Sequence, residues 1–329
     1  MISILSLKTP LGKPIDAIDT VNHNIFRCLS GRVDFMELKT FWQKVLVLRK
    51  VKPDYMLGIG VLEEILYLPF KPARTRYVIA WHTVLRVGKT WPVRKILFRR
   101  AAFVIAVSDC VAQSVKKHFP SKPIFKILNG VDTEFFNPHK RDRNFLGTTF
   151  GLPLNRPVIL FVGAMFKRKR PDVFIKLAEN VPEASFVLVG RKDKQDFISS
   201  AKDLKNFYWM PFASHEEVSK IMASSDIFLF PSIDEPCAAV IVEAMASGLP
   251  CVLSDSCGNS ELISDGKEGF LVKPQSGELK KFITLIHKLM SDNILRSEMS
   301  RNAREKCLSN LNWPRVSEKY FEVFSVFNQ

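Results

Sequence analysis

Two glutamates eight residues apart, Glu235 and Glu243, stand in a segment whose residue types suit the binding of a charged, hydroxyl-rich ligand. The segment runs Pro231-Ser232-Ile233-Asp234-Glu235-Pro236-Cys237-Ala238-Ala239-Val240-Ile241-Val242-Glu243-Ala244-Met245-Ala246-Ser247-Gly248-Leu249-Pro250. It follows one apolar run, Ile227–Phe230, and precedes another, Cys251–Ser254. Pro236 suits a first helical position, Ala and Val fill a helix body, Gly248 is a natural stop and Pro250 prevents continuation. The segment therefore reads as a strand, a turn holding Glu235, and a short helix that opens on the turn. A helix N-terminus at the carboxyl edge of a parallel sheet favours anions, because its N–H groups and dipole point at them. Carboxylates beside such a place fit a ligand with both phosphates and hydroxyls, as a nucleotide sugar has. The phosphates take the positive end, and the carboxylates accept hydrogen bonds from hydroxyls. On that arrangement Glu235 lies nearest the sugar and Glu243 nearest the ribose.

These residues need a scaffold, and the hydrophobic pattern supplies one. Short apolar runs alternate with helix-like stretches from end to end, the sign of βαβ units and parallel sheets. Strands are expected at Ile2–Leu7, Arg32–Leu38, Tyr55–Gly58, Tyr77–Trp81 and Phe103–Val107, with helices between them such as Thr20–Leu29 and Cys110–His118. Ser108 and Asp109 read as a helix cap. A second series is expected at Val158–Val162, Ser185–Val189, Phe207–Met210, Ile227–Phe230, Cys251–Ser254 and Gly269–Val272. The polar, turn-rich stretch from Asn137 to Pro157 reads as the join. Trp313 to Phe327 carries apolar residues at Val316, Tyr320, Val323 and Phe327, a helical stripe. The expected division is an N-terminal Rossmann-like lobe over 1–145, a ligand-binding lobe over 146–310, and a C-terminal helix over 311–329.

The spacing of Glu235 and Glu243 resembles that of the retaining glycosyltransferases of the two-lobed GT-B fold, specifically family 4. The resemblance continues in Phe161-Val162-Gly163-Ala164-Met165-Phe166-Lys167-Arg168-Lys169-Arg170-Pro171-Asp172, which is similar to the family's strand, glycine and basic loop. It continues in Gly258-Asn259-Ser260-Glu261-Leu262-Ile263 with Asp265-Gly266-Lys267-Glu268-Gly269-Phe270-Leu271-Val272, and in Asn129-Gly130-Val131-Asp132 with Phe136 and Pro138. It covers the chain from about Val78 onward. The resemblance implies an α/β GT-B architecture, two Rossmann-like lobes facing across a cleft, with the C-terminal helix returning to the N-terminal lobe. It implies a retaining, metal-independent hexosyltransferase that uses a UDP- or GDP-sugar and no further cofactor, with a glycan or lipid-linked acceptor. Catalytic roles would fall to Glu235, Lys169 and His82, the last at the end of the run Val78-Ile79-Ala80-Trp81. Donor binding would fall to Gly163, Arg168, Cys237, Ala238, Ala239 and Glu243, and no residue would hold a metal. The chain departs from the family at Ala164, where an arginine is usual, and Arg168 or Arg170 is a candidate replacement. Pro236 and Ala238 stand in place of two glycines, and the glycine-rich first loop is missing.

Charge adds a second theme. Lys and Arg number 48 against 33 Asp and Glu, net +15. Residues 1–150 hold 25 basic and 11 acidic side chains, so nearly the whole excess lies in the N-terminal half. A field of one sign points to a polyanionic partner: an anionic membrane surface, a phosphorylated acceptor or nucleic acid. The basic residues gather on Lys39, Lys44, Arg49, Lys50 and Lys52 around Phe41, Trp42, Val45 and Leu48. A second group is Arg86, Lys89, Arg94, Lys95, Arg99 and Arg100 around Trp91, Ile96, Leu97 and Phe98. Such helices can lie in a lipid interface. The six cysteines read as core thiols of a reducing compartment, and no run of 18 apolar residues or secretory signal is seen. The expectation is a cytoplasmic protein, peripheral on the inner face of a membrane, with nucleic acid not its partner. A non-catalytic scaffold on the same fold and a DNA-modifying glucosyltransferase stand as alternatives.

Overall fold

The computed structural model describes residues 1–7, 17–193 and 196–327, and it divides into two compact units. The first comprises 1–130 and 313–329, and the second 131–312. The sequence reading set the joins at 145 and 310.

The first unit is a six-stranded parallel sheet. Its strands are β1 (Ile2–Ser6), β2 (Val33–Glu37), β3 (Tyr55–Gly58), β4 (Arg76–Trp81), β5 (Phe103–Ala106) and β6 (Ile124–Lys126), in the order β2-β1-β3-β4-β5-β6. Five of them match the expected runs to within one residue at each end. The sixth, Ile-Phe-Lys, is too short to show a period. Helices α1 (Ala17–Cys28), α2 (Phe41–Lys50), α3 (Trp91–Arg100) and α4 (Asp109–Lys116) connect the strands. Ser108 caps α4 as expected, its Oγ accepting from the Val111 N–H at 3.4 Å.

The last helix, Trp313–Val326, belongs to this unit although the second unit intervenes in the chain. Its Trp313, Val316, Tyr320 and Phe324 join α1 residues Val21, Ile25 and Phe26 over alternate strand residues Ile4, Tyr55, Leu57, Val78 and Phe103. Phe324, rather than Val323, lies at the centre of the stripe, and Val323 and Phe327 are only partly buried. The buried Tyr55 hydroxyl donates to the Phe324 carbonyl at 2.6 Å, and Arg32 pairs with Glu318 at 2.6 Å.

The second unit repeats the plan with the order β12-β11-β10-β7-β8-β9. Its strands are β7 (Val158–Val162), β8 (Ser185–Val189), β9 (Phe207–Met210), β10 (Ile227–Phe230), β11 (Cys251–Ser254) and β12 (Gly269–Val272), all six with the expected limits. All pairings are parallel. Read from β9, this is the doubly wound order 3-2-1-4-5-6, in which the winding reverses between β7 and β10. The expected linker proves to be structured: it contains α5 (Arg143–Phe150), which ends at Gly151 in a left-handed conformation. Only Leu146 of this helix is fully buried, so apolar periodicity gave no sign of it. The readable signs were its caps, Asp142, whose Oδ1 accepts from the Phe145 N–H at 3.1 Å, and Gly151. The remaining helices are α6 (Pro171–Asn180), α7 (His215–Ser224), α8 (Ala239–Ala246), α9 (Glu278–Ser291) and α10 (Asn293–Lys306).

Of the six cysteines expected as core thiols, Cys251 and Cys307 are free and buried, Cys237 is buried, and Cys28 is free and exposed. No described helix is long and apolar enough to cross a membrane. Because the last helix completes the core of the first unit, Phe324→Ala should destabilise that unit by about 3–5 kcal/mol. Urea unfolding followed by far-UV circular dichroism measures the loss, and a change below about 1 kcal/mol would contradict this packing.

Candidate nucleotide-sugar site

Ligands of doubly wound sheets bind beyond the carboxyl ends of the strands where the winding reverses. In the second unit that place lies between β7 and β10, which pair in register at Ile159 with Ile227 and Leu160 with Phe228. The loop after β7 carries Gly163 and the basic run 167–170, and the turn after β10 carries Glu235. The pairing of two strands thus brings together segments more than sixty residues apart in sequence.

Each segment is fixed locally. Gly163 has φ +151°, a conformation that favours glycine, and a Cβ there would stand 3.1 Å from Lys169 Nζ. Gly190, at the end of β8, has a similar φ, and a Cβ on it would meet the Gly163 carbonyl oxygen at 2.0 Å. Gly190 escaped the sequence reading, although a glycine directly after an apolar strand was the available signal. The basic loop is tied to the β10 turn through its backbone: the Arg168 carbonyl accepts from the Ile233 N–H at 2.9 Å and from Ser232 Oγ at 3.2 Å. On the other side the Glu235 carbonyl accepts from the Gly258 N–H at 3.0 Å, and Asp234 N–H donates to Ser256 Oγ at 3.0 Å.

At the centre is Glu235, 6% exposed. Its Oε2 accepts a hydrogen bond from Arg168 Nη1, and its Oε1 lies 3.6 Å from Lys169 Nζ. Lys169 is itself largely buried, and its ammonium lies 5.4 Å from the centre of the Phe230 ring. Burial pushes its pKa below the ordinary lysine value, and the Glu235 charge opposes that shift. Arg170 turns away: it takes a left-handed backbone conformation and forms a two-point ion pair with Glu278 at the start of α9. Of the two candidate replacements for the arginine absent at 164, Arg168 is therefore the one beside Glu235.

The helix differs from expectation at its start. α8 begins at Ala239, with Ala238 as its N-cap, so Pro236 lies three residues ahead of the first helical position. A proline disfavours helical geometry in the residue before it, and the Glu235 carbonyl is used by Gly258 rather than by a helix turn. Cys237 is buried, and Ala238 and Ala239 are half-buried at the N-terminus of α8. Ala238 offers no side-chain acceptor to the first N–H groups, which suits an anion there. Glu243 lies one and a half turns into α8. The residue is half-buried, and desolvation of its carboxyl pushes its pKa up to about 7. Among the described residues it has no hydrogen-bond or salt-bridge partner. His82 directly follows β4 and is half-buried, in the first unit, whereas the other predicted site residues all lie in the second.

Residues 143–306 match the model of the family described as Glycosyl transferases group 1. By these residues the chain belongs to that family. Among its relatives is spore coat protein SA of Bacillus subtilis, 27% identical over 70% of this chain and 66% of its own length. Another is the Escherichia coli UDP-Gal:alpha-D-GlcNAc-diphosphoundecaprenol alpha-1,3-galactosyltransferase, 29% identical over 60% of this chain and 53% of its own. The chain spans between about half and two thirds of the length of these curated relatives. The crystal structure of Anabaena HepE in complex with UDP-glucose superimposes with a TM-score of 0.80, covering 99% of this chain and 100% of that one at 20% identity. The fold is accordingly GT-B, two Rossmann-like units with parallel six-stranded sheets.

The Glu243 carboxylate carries a cost that a purely structural residue would not. With its folded pKa raised from 4.5 to about 7, the folded state binds this proton more tightly, and stability falls as pH rises through that window. Glu243→Gln should therefore be more stable than the wild type at pH 8, by about 1–3 kcal/mol, and equal to it near pH 4. Urea titrations at the two pH values test this. A variant that loses stability at pH 8 would show that the carboxylate has a stabilising partner.

Proposed function

We propose that the chain is a retaining, metal-independent glycosyltransferase that moves a hexose from a UDP- or GDP-sugar to a glycan or lipid-linked acceptor. The observation that carries this reading is the meeting of Arg168 and Lys169 with the buried Glu235 at the β7/β10 reversal, beside the N-terminus of α8. Departure of a nucleoside diphosphate develops negative charge on the leaving phosphate. Lys169, Arg168 and the first N–H groups of α8 stabilise that charge where water is scarce. Gly163 lets the backbone approach the phosphates, Glu235 accepts from sugar hydroxyls, and Glu243 accepts from the ribose. Cys237, Ala238 and Ala239 line the donor at the start of α8, and His82 is assigned to the transferred sugar. Transfer proceeds by attack of the acceptor on the face the leaving group vacates, through an oxocarbenium-like state, with the leaving phosphate taking the acceptor proton. The UDP-glucose in the HepE crystal structure and the UDP-Gal named for the E. coli relative support a UDP-sugar donor.

The first unit is assigned to the acceptor, and its surface supports an anionic membrane as the place where that acceptor lies. Residues 1–130 and 313–329 hold 24 basic and 10 acidic side chains. Helix α2 and the 3-10 segment Leu62–Phe70 pack together through Phe41, whose ring lies 4.9 Å from that of Tyr67. They leave Trp42 72% exposed and Leu66 56% exposed, with Leu46 and Leu62 also exposed. Lys44 takes no part in this surface, contrary to its expected place in the basic cluster. Its Nζ is buried and donates to the Leu7 carbonyl at 2.6 Å, and burial pushes its pKa down to about 8. On this reading the protein works at the cytoplasmic face.

Thermal-shift screening with UDP-, GDP-, ADP- and TDP-sugars, followed by release of the nucleoside diphosphate, should identify the donor. Lys169→Ala should lower kcat at least about 100-fold, and Glu243→Ala should chiefly weaken donor binding. Unchanged kinetics in both would remove the assignment, and neither turnover nor nucleotide affinity would favour a non-catalytic protein. The wild type should float with phosphatidylglycerol vesicles, less so with phosphatidylcholine, and the double variant Trp42→Ser, Leu66→Ser should lose most of that binding. Equal flotation of wild type and variant would count against this docking face, and salt-sensitive binding to duplex DNA without vesicle binding would favour the DNA-modifying alternative.

A further inference from the structure

The two cations assigned to the donor phosphates already share a partner within the protein. Glu235 engages Arg168 through one carboxylate oxygen and approaches Lys169 with the other. Lys169 has no easy alternative nearby, whereas Arg168, whose side chain is 46% exposed, also reaches water. Lys169 is held against Gly163 and the Phe230 ring, and the carboxylate of Glu278 is taken up by Arg170. Glu235 is placed like Lys169, since its side chain is 93% buried and little water is at hand to replace the cations it would release. A diphosphate that takes Arg168 and Lys169 therefore competes with Glu235 for them.

What Glu235 receives in return depends on the ligand. A nucleotide sugar brings hydroxyl donors for the carboxylate as its phosphates take the cations, so the buried charge stays hydrogen-bonded. A nucleoside diphosphate alone brings phosphates and no sugar hydroxyl, and Glu235 is left without compensation. We propose that Glu235 is an internal competitor of the diphosphate, which makes the site favour the intact donor over the nucleoside diphosphate product and hastens product release. This inference rests on the donor reading above and assigns Glu235 a second role, distinct from gripping the sugar. Its charge, and not only its hydrogen-bonding capacity, sets the order of affinities.

The test is calorimetric titration of the full chain with two pairs of probes, UDP with UDP-glucose and GDP with GDP-mannose. In the wild type, whichever pair binds should show the nucleotide sugar binding more tightly than the nucleoside diphosphate. Glu235→Gln keeps the shape and removes the charge. It should bind the nucleoside diphosphate at least fivefold more tightly than the wild type, while affinity for the nucleotide sugar rises less or falls. Adding Lys169→Met to Glu235→Gln should abolish the gain. The inference is overturned if Glu235→Gln binds the nucleoside diphosphate no better than the wild type, or if the gain survives Lys169→Met. Should Glu235→Gln not fold, the wild-type order decides alone, and a nucleoside diphosphate that binds more tightly than its sugar overturns the inference. Those outcomes leave the donor reading standing. Absence of binding by both pairs to both wild type and Glu235→Gln would remove the donor reading itself.

Discussion

One buried carboxylate with too few places to put its charge organises the second unit's site. Glu235 lies at the end of a central strand, out of reach of bulk water, and must be satisfied by groups the fold brings to it. The groups are Arg168 and Lys169, on a loop whose backbone is stitched to the same turn by Ser232 and Ile233. Backbone bonds thus set the loop, the loop sets the cations, and the cations hold the acid. Burial lowers the pKa of Lys169 while Glu235 raises it, so the acid offsets part of what burial costs the lysine's charge.

Glu243 shows the opposite economy. It sits in a helix of otherwise apolar residues, desolvated, with no ion pair or hydrogen bond to its carboxyl among the described residues. Such a group weakens the fold unless something outside the chain meets it, which is the usual mark of a binding residue. The two glutamates of one sequence motif are therefore unlike in their physics: one is ion-paired from within, and the other has no such partner among the described residues.

The first unit owes its core to a helix from the far end of the chain. Trp313, Val316, Tyr320 and Phe324 fill the space over β3, β4 and β5, and Gly130 leaves room for the Trp313 ring where the chain passes from one unit to the other. This unit also carries almost the whole positive excess, spread over surfaces that expose Trp42 and Leu66. Core and charge are separated in space because Lys and Arg heads seek water while their neighbours on the same helices, Val45, Leu48, Leu97 and Phe98, do not. Lys44 breaks that pattern, and the Leu7 carbonyl that it binds explains how it can.

The strands of the second unit were legible to the residue, because each is a short apolar run with turn residues at both ends, five of them largely buried on both faces and the edge strand β9 half-buried, a pattern that needs no partner to be read. The two glutamates, the basic loop and the glycine after β7 were legible too, since residue type and spacing carry that information directly. Helix α5 was missed because a short helix that buries one leucine leaves no period. The start of α8 was misplaced because the hydrogen bond that holds Glu235 outside the helix comes from Gly258, which local sequence does not reveal. The amino-acid sequence by itself determined which segments would be strands and which side chains could do chemistry. Only the tertiary structure decided that Arg168 rather than Arg170 meets Glu235, that Glu278 claims the other arginine, and that Glu243 is left unpaired. Those outcomes depend on strand order, on β7 lying beside β10, and spatial neighbours that far apart along a chain are chosen by packing rather than by local residue preference.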